Sequence, residues 1–365
     1  MLVFLTAFLV SACACWMIAK SSSLLHSLHR KDDLVAVQAA HNRPTLRLAG
    51  VALSLSMWLS IVMNGAEVEP LRLLLVAALP LFFVGLLEDV GVHQSPRRRI
   101  AVAIVSGVIF SGVTGTYLYD PGLFFLRPLF EYWPLAVGFT LFVTAGLIHA
   151  FNLIDGLNGL AGSVAIVACA GISAISYRAG SSELILPSLV ICGALLGFLA
   201  LNFPFGRLFL GDSGAYTTGF LLSWLALEGL RASPLISPWA MLMMFFWPIA
   251  DTLLTIWRRL KAGQPVSHPD RMHFHQVVMR LISIYARGRV SSRFSNPIAT
   301  IAVVPLMTVP PFFGVLFWDN NSLSLFLFCL FLALFAFSYI YLVKVGWAVK
   351  RHHAKYFSPK AVNLQ

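Results

Sequence analysis

The 365 residues are 58% hydrophobic and only 11% charged, with a mean hydropathy of +0.81, which excludes an ordinary soluble globular domain. The formal net charge of +11 suits basic flanks beside anionic lipid headgroups. Its dispersal over short loops without a reader module argues against nucleic acid as a partner.

Crossing a hydrocarbon core takes about 20 apolar residues per helix. Such runs recur along the chain and predict an all-α, polytopic bundle of eleven membrane helices, near 1–19, 48–64, 70–87, 100–118, 132–151, 157–177, 184–202, 213–230, 235–256, 297–316 and 322–343. A closed barrel would need alternating strands, whereas Leu71 to Leu87 is apolar almost throughout. The first run lacks a basic amino-terminal region and a small-residue cleavage site, and it reads as a retained span. The five cysteines all fall inside apolar runs without metal-ligand spacing and read as packing residues.

Lysine and arginine set the expected orientation. All but Arg72, Arg127, Arg178 and Arg231 gather on one side, which places the amino terminus outside and the carboxyl terminus in the cytoplasm. All ten histidines fall on that same side. The expected organisation is a single transmembrane catalytic domain, residues 1–345, with cytoplasmic loops 20–47, 88–99, 152–156, 203–212 and 257–294, followed by a short basic tail, 346–365.

In chain order, the first loop carries Arg43 and Arg47 near Pro44, either as anion holders or as a positive-inside flank with a helix start. The second carries Glu88 and Asp89 at the end of an apolar helix, where carboxylates are expensive and usually functional, and then Arg97 to Arg99, which can receive phosphate oxygens. In the third, Asn152, Asp155 and Asn158 recur every three residues, so on one helical turn they would share a face. Gly156 and Gly159 beside them would let backbone approach a ligand. The fourth loop sets Asp212 at the start of a span, as a helix cap or as a hard oxygen ligand for Mg²⁺. The fifth region contains Asp251 and then Arg271, His273 and His275, which suit a diphosphate better than zinc, because only two close imidazoles and no cysteine are present.

In order and spacing these loops resemble the polyprenyl-phosphate N-acetylhexosamine-1-phosphate transferase family, glycosyltransferase family 4, over about residues 40–280. The Pro-Asp-Arg-x-His-x-His pattern at 269–275 looks like the bacterial branch that starts O-antigen, common-antigen or teichoic-acid linkage chains. The peptidoglycan branch, phospho-N-acetylmuramoyl-pentapeptide transferase, is the alternative. The resemblance implies transfer of a sugar 1-phosphate from a UDP-N-acetylhexosamine to undecaprenyl phosphate, with release of UMP. It also implies a Mg²⁺ requirement, with Mn²⁺ as a substitute, and a site on the cytoplasmic face of the bacterial inner membrane. Membrane lipids are the other expected partners, and a homodimer is allowed.

Carried over by motif position, the resemblance implies a metal site of Asp212 and Asn152. Glu88, Asp89 and Asp155 become the catalytic candidates, and Asn158, Arg98, Asp251, Arg271, His273, His275 and Arg43 the substrate-binding ones. Two departures stand out: Glu88 replaces a usual Asp, and Asn158 replaces a frequent Asp. A lipid or sugar transporter is the reading from another class, but its polar groups should lie near the bilayer midplane, not at span ends.

Overall fold

The computed structural model describes residues 1–21, 45–265, 272–285 and 292–356. Among these residues it contains helices and turns but no strand: α1 (Leu2–Lys20), α2 (Ala49–Asn64), α3 (Glu69–Asp89), α4 (Pro96–Thr114), α5 (Arg127–Phe130), α6 (Trp133–Leu153), α7 (Leu160–Arg178), α8 (Ile185–Asn202), α9 (Gly211–Ala232), α10 (Pro238–Met243), α11 (Phe246–Lys261), α12 (Phe274–Tyr285), α13 (Ser292–Leu316) and α14 (Asn321–Tyr356).

The all-α bundle is as expected, but the count of eleven spans is not. Among the described residues seven stretches are long and apolar enough to cross a membrane: Leu2–Lys20, Glu69–Asp89, Trp133–Leu153, Leu160–Arg178, Ser182–Asn202, Phe294–Leu316 and Asn321–Gly346. The four others fail for separate physical reasons. α2 has only 16 residues. α4 opens on three consecutive arginines. The run expected at 235–256 breaks after Met243 into α10 and α11. α9 is long enough, but it lies inside the protein, packed by α2, α3, α6 and α7, and nearly every residue from Gly211 to Leu227 is buried. A helix that meets other helices on all sides need not be apolar, and α9 carries Ser213, Thr217, Thr218 and Ser223 along its length.

Small residues let the neighbours of α9 come close. A Cβ at Gly85 of α3 would collide with the backbone of Ser213, and one at Gly50 of α2 with the backbone of Gly214. α1 runs parallel to α8 in the same manner: Ser11 Oγ donates to the Ala194 carbonyl at 2.7 Å, and Gly193 and Gly197 face the α1 backbone.

The carboxyl ends of α3, α6 and α8 and the amino ends of α4 and α9 meet at one end of the bundle. Two exposed tryptophans mark that end, each under a lysine one helical turn further on: Lys20 Nζ sits 4.9 Å from the Trp16 ring and Lys261 Nζ 5.2 Å from Trp257. Tyr132, Trp133 and Tyr177 are exposed near the opposite end. Aromatic belts of this kind sit at the two membrane–water boundaries.

Candidate active site

The site begins where α9 begins. Gly211 has φ +73°, and a Cβ there would strike the Arg47 carbonyl and the Asp89 carboxylate, so only glycine can start this helix here. No side chain of the preceding turn caps α9. Asp89, at the last position of α3, does so instead: its Oδ1 accepts the Asp212 amide at 2.7 Å, and its Oδ2 accepts the Ser213 amide at 2.9 Å and the Ser213 hydroxyl at 2.6 Å. A buried carboxylate thus meets the positive end of a buried helix.

Glu88, its neighbour, turns to the other side. Its Oε2 accepts the Gln94 amide at 2.6 Å and Arg99 Nη2 at 2.8 Å. Arg99 also places Nη1 3.3 Å from Asp212 Oδ2 and 3.2 Å from the Tyr216 hydroxyl, and donates Nε to the Gln94 carbonyl at 3.0 Å. Tyr216 OH lies 3.2 Å from Asp212 Oδ2, and Arg47 Nη2 lies 3.8 Å from Asp212 Oδ1. Asp212 therefore sits between two guanidiniums at a helix amino terminus, a setting suited to an anion with a shared cation. Arg98, expected to contact phosphate itself or through a neighbour in the triplet, is exposed, and its amide closes the Ser95 cap of α4; Arg99 is the one that reaches inward. Helix phase, invisible in a run of three arginines, decides between them.

The anticipated ladder of Asn152, Asp155 and Asn158 does not form, because α6 ends at Leu153 and a turn follows. Asn152 stays on the last turn with a buried, unpartnered Nδ2, and Asp155 Oδ2 is likewise buried and unpartnered among the described residues. Burial pushes the Asp155 carboxyl up to about 6, against the opposing pull of Arg47 and the Gly211 amide. Asn158 points elsewhere. Its amide donates to Asn296 Oδ1 at 2.8 Å, its Nδ2 to the Pro204 carbonyl at 2.7 Å, and its carbonyl receives Thr300 Oγ1 at 2.7 Å. Asn202 continues this clamp, with Oδ1 on the Gly159 amide at 2.5 Å and Nδ2 on the Leu208 carbonyl at 2.7 Å. Asn158 ties the turn after α6 to the 203–210 loop and to α13.

A second polar group stands beside the first. Asp251 of α11 accepts the Phe274 amide on Oδ1 at 2.9 Å and pairs through Oδ2 with His273 Nδ1 at 2.8 Å, with His275 Nδ1 3.8 Å away. The two imidazoles stack with centroids 5.6 Å apart, and both are fully buried. Burial pushes the His275 imidazole down to about 4, so this ring is neutral at pH 7. A Cβ at Gly156 would lie 3.2 Å from His275 Nε2, which brings α12 against the turn that carries Asp155. Arg43 and Arg271 lie outside the described residues.

Two side chains escaped the sequence reading. Tyr216 shares Asp212 with Arg99, and His149, one turn before Asn152, packs its ring edge-on to Tyr216 at 5.4 Å with Nε2 buried and unpartnered. A tyrosine hydroxyl inside an apolar helix and a single histidine, unlike the His273 and His275 pair, form no motif by which sequence alone assigns a role.

The description of glycosyl transferase family 4 matches residues 71–230, which include Glu88, Asp89, Arg99, Asp155 and Asp212. The chain is 30% identical over 291 residues to an undecaprenyl-phosphate alpha-N-acetylglucosaminyl 1-phosphate transferase of Salmonella typhi, covering 77% of this chain and 75% of that protein. It is 29% identical over 289 residues to the protein of the same description from Escherichia coli K12, covering 76% and 74%. A probable undecaprenyl-phosphate N-acetylglucosaminyl 1-phosphate transferase of Bacillus subtilis is 28% identical over 250 residues, covering 68% and 69%.

Proposed function

The chain belongs to glycosyl transferase family 4 and catalyses polyprenyl-phosphate sugar-1-phosphate transfer; from that premise we propose that it moves N-acetylhexosamine 1-phosphate from a UDP-sugar onto undecaprenyl phosphate and releases UMP. The observation that carries this reading is the junction at the start of α9, where Arg99 joins Glu88 to Asp212 and Arg47 approaches the other Asp212 oxygen. A diphosphate needs this mixture of fixed cations and hard oxygen donors.

In the proposed reaction a phosphate oxygen of the acceptor lipid attacks the sugar-bearing phosphorus, a new P–O–P linkage forms, and the bond to UMP breaks. Arg99 and Arg47 hold phosphate oxygens in line, with Glu88 fixing the Arg99 fork. Asp89 holds the start of α9 and, with three donors on its carboxylate, serves position and not proton transfer. Asp155, with a carboxyl near 6, is suited to take a proton from an acceptor that arrives as the monoanion. His275, neutral and next to Gly156, is placed to hold the turn or a phosphate oxygen.

The described residues contain no group of three or more His, Cys, Asp or Glu arranged as a closed metal cage. Asp212, with Asn152 on the last turn of α6, instead fits a Mg²⁺ that would complete its shell with substrate phosphates and water, since Arg47 Nη2 stands 3.8 Å from Asp212 Oδ1, beyond hydrogen-bond length. Such an ion, or Mn²⁺ in its place, would supply charge neutralisation on the diphosphate. The cytoplasmic face is favoured because the site end of the bundle collects Arg47, Arg97, Arg98, Arg99, Arg207 and Lys261.

The test incubates purified protein and undecaprenyl phosphate with a panel of UDP-sugars, with and without Mg²⁺, and measures UMP. The expected result is lipid-dependent and Mg²⁺-dependent UMP from one or more N-acetylhexosamine donors. Absence of UMP from every sugar rejects the proposal.

A further inference from the structure

His149 stands inside α6, four residues before the helix ends at Leu153, and the run Leu147-Ile148-His149-Ala150-Phe151 is apolar but for its imidazole. Ionisable side chains within membrane helices face the bundle interior and mark substrate paths. The packing of α6 on α9 shows what this one meets. Gly219 brings the two backbones together, since a Cβ there would lie 2.9 Å from Ile148 Cα. Tyr216, one turn before Gly219, then meets His149 with ring centroids 5.4 Å apart and planes at 77°.

Packing accounts for the ring but not for its nitrogen. Phenylalanine makes an edge-on contact with tyrosine as well as imidazole does. Among the described residues His149 Nε2 is buried without a hydrogen-bond partner, and so is Asn152 Nδ2, three residues on and on the same face of α6. Native proteins leave few buried polar atoms unmatched, so two within one helical turn point to a missing partner. An amide nitrogen only donates, and that partner must therefore bring acceptor oxygens.

The neighbours of Tyr216 identify the acceptor. Its hydroxyl lies 3.2 Å from Asp212 Oδ2 and 3.2 Å from Arg99 Nη1, so His149 adjoins the junction where the transferase reading puts substrate phosphates. Resting on that reading, we propose that His149 is a substrate-binding residue, which donates Nε2–H to a phosphate oxygen beside the Asn152 amide. Imidazole suits the place because it joins a ring that packs on Tyr216 to a donor at its outer edge. Lysine or arginine would instead set another fixed charge beside Arg99. The UDP-sugar and undecaprenyl phosphate both bring such oxygens, and kinetics separates them.

The test compares wild type, His149→Phe and His149→Gln as full chains in detergent, measuring the thermal transition and the KM for the UDP-sugar and for undecaprenyl phosphate. Phenylalanine keeps a ring on Tyr216 and removes the donor; glutamine removes the ring and keeps an N–H at similar reach. His149→Phe is expected to raise one of the two KM values about tenfold, the factor of one hydrogen bond to a charged oxygen, with the thermal transition unmoved. His149→Gln should recover most of that loss. The KM that rises names the phosphate that is held. Unchanged KM values in His149→Phe, or an impaired His149→Gln beside a normal His149→Phe, overturn the proposal, because ring packing is then the whole role. Should His149→Phe elute as aggregate, His149→Gln against His149→Met makes the same comparison, since methionine fills the space without an N–H. No UMP from wild type rejects the transferase reading itself, whereas the other failures leave that reading standing.

Discussion

Asp89 Oδ2 holds Ser213 twice, through its amide at 2.9 Å and its hydroxyl at 2.6 Å, and so fastens the end of one membrane helix to the start of a buried one. Hydrogen bonds to a charged group contribute about 1.5–3 kcal/mol each, and removal of the acceptor strands buried donors. Asp89→Ala is therefore expected to lose about 3 kcal/mol or more of stability, read as an early thermal transition in detergent. An unchanged transition with lost activity would return Asp89 to the chemistry.

Arg99 and Arg98 separate cleanly. Arg99→Ala removes a cation from Glu88, Asp212 and Tyr216 together, and its kcat for UMP release should fall about 100-fold or more, as for loss of a fixed charge-stabilising donor. Arg98→Ala should stay near wild type. The reverse ranking would place the phosphate contact on the exposed side of α4.

The Asp155 carboxyl, raised to about 6 by burial, predicts a falling transfer rate as pH drops through that value, because protonation removes the base. Its contribution to stability runs the other way. Between 3.8 and about 6 the folded protein binds the proton more readily than the unfolded chain, so this residue favours folding as pH falls. A rate that declines below pH 6 while the protein stays folded is the signature sought; a flat profile in wild type contradicts the role.

His275 behaves oppositely. Its ordinary value is 6.5 and its folded value about 4, so between them the unfolded chain takes up a proton that the folded protein refuses. Stability should fall as pH drops through that window, and above 6.5 the effect vanishes. His275→Gln should flatten the acid limb of a Tm-against-pH curve. An identical limb in the variant would mean that His275 does not titrate as its burial dictates.

Asn158→Asp introduces the carboxylate that the family resemblance leads one to expect, yet here it would replace the Nδ2 donor on the Pro204 carbonyl with a second oxygen. The expected cost is about 1–3 kcal/mol in stability, from unsatisfied buried acceptors, with KM for the UDP-sugar unchanged. A changed KM at wild-type stability would make Asn158 a substrate contact.

Much of the site was legible because carboxylates, amides and histidines at the ends of apolar runs have few structural excuses. Glu88, Asp89, Asp155, Asp212, Asp251, His273 and His275 all stand out on that ground, and the structure gathers them at one end of the bundle. Which group each carboxylate faces was not legible: Glu88 and Asp89 are adjacent in sequence but serve Arg99 and α9 respectively. The span count failed at α9 because a hydropathy window cannot tell a helix buried among helices from one that faces lipid, and at 235–256 because it does not register the break between α10 and α11. The ladder at 152–158 failed because the chain leaves the helix at Leu153, and a period of three has meaning only while the helix lasts.

The Ser11–Ala194 hydrogen bond joins residues 183 positions apart, across a seam of close α1–α8 contact. At about 5–20 residues per second of synthesis, α1 enters the membrane roughly ten to forty seconds before its partner exists. Through that interval its packing face, with Ala7, Ser11, Ala14 and Cys15, must be covered by lipid or by the insertion machinery. During synthesis α1 is thus a helix that waits, and this seam closes only when α8 has been made.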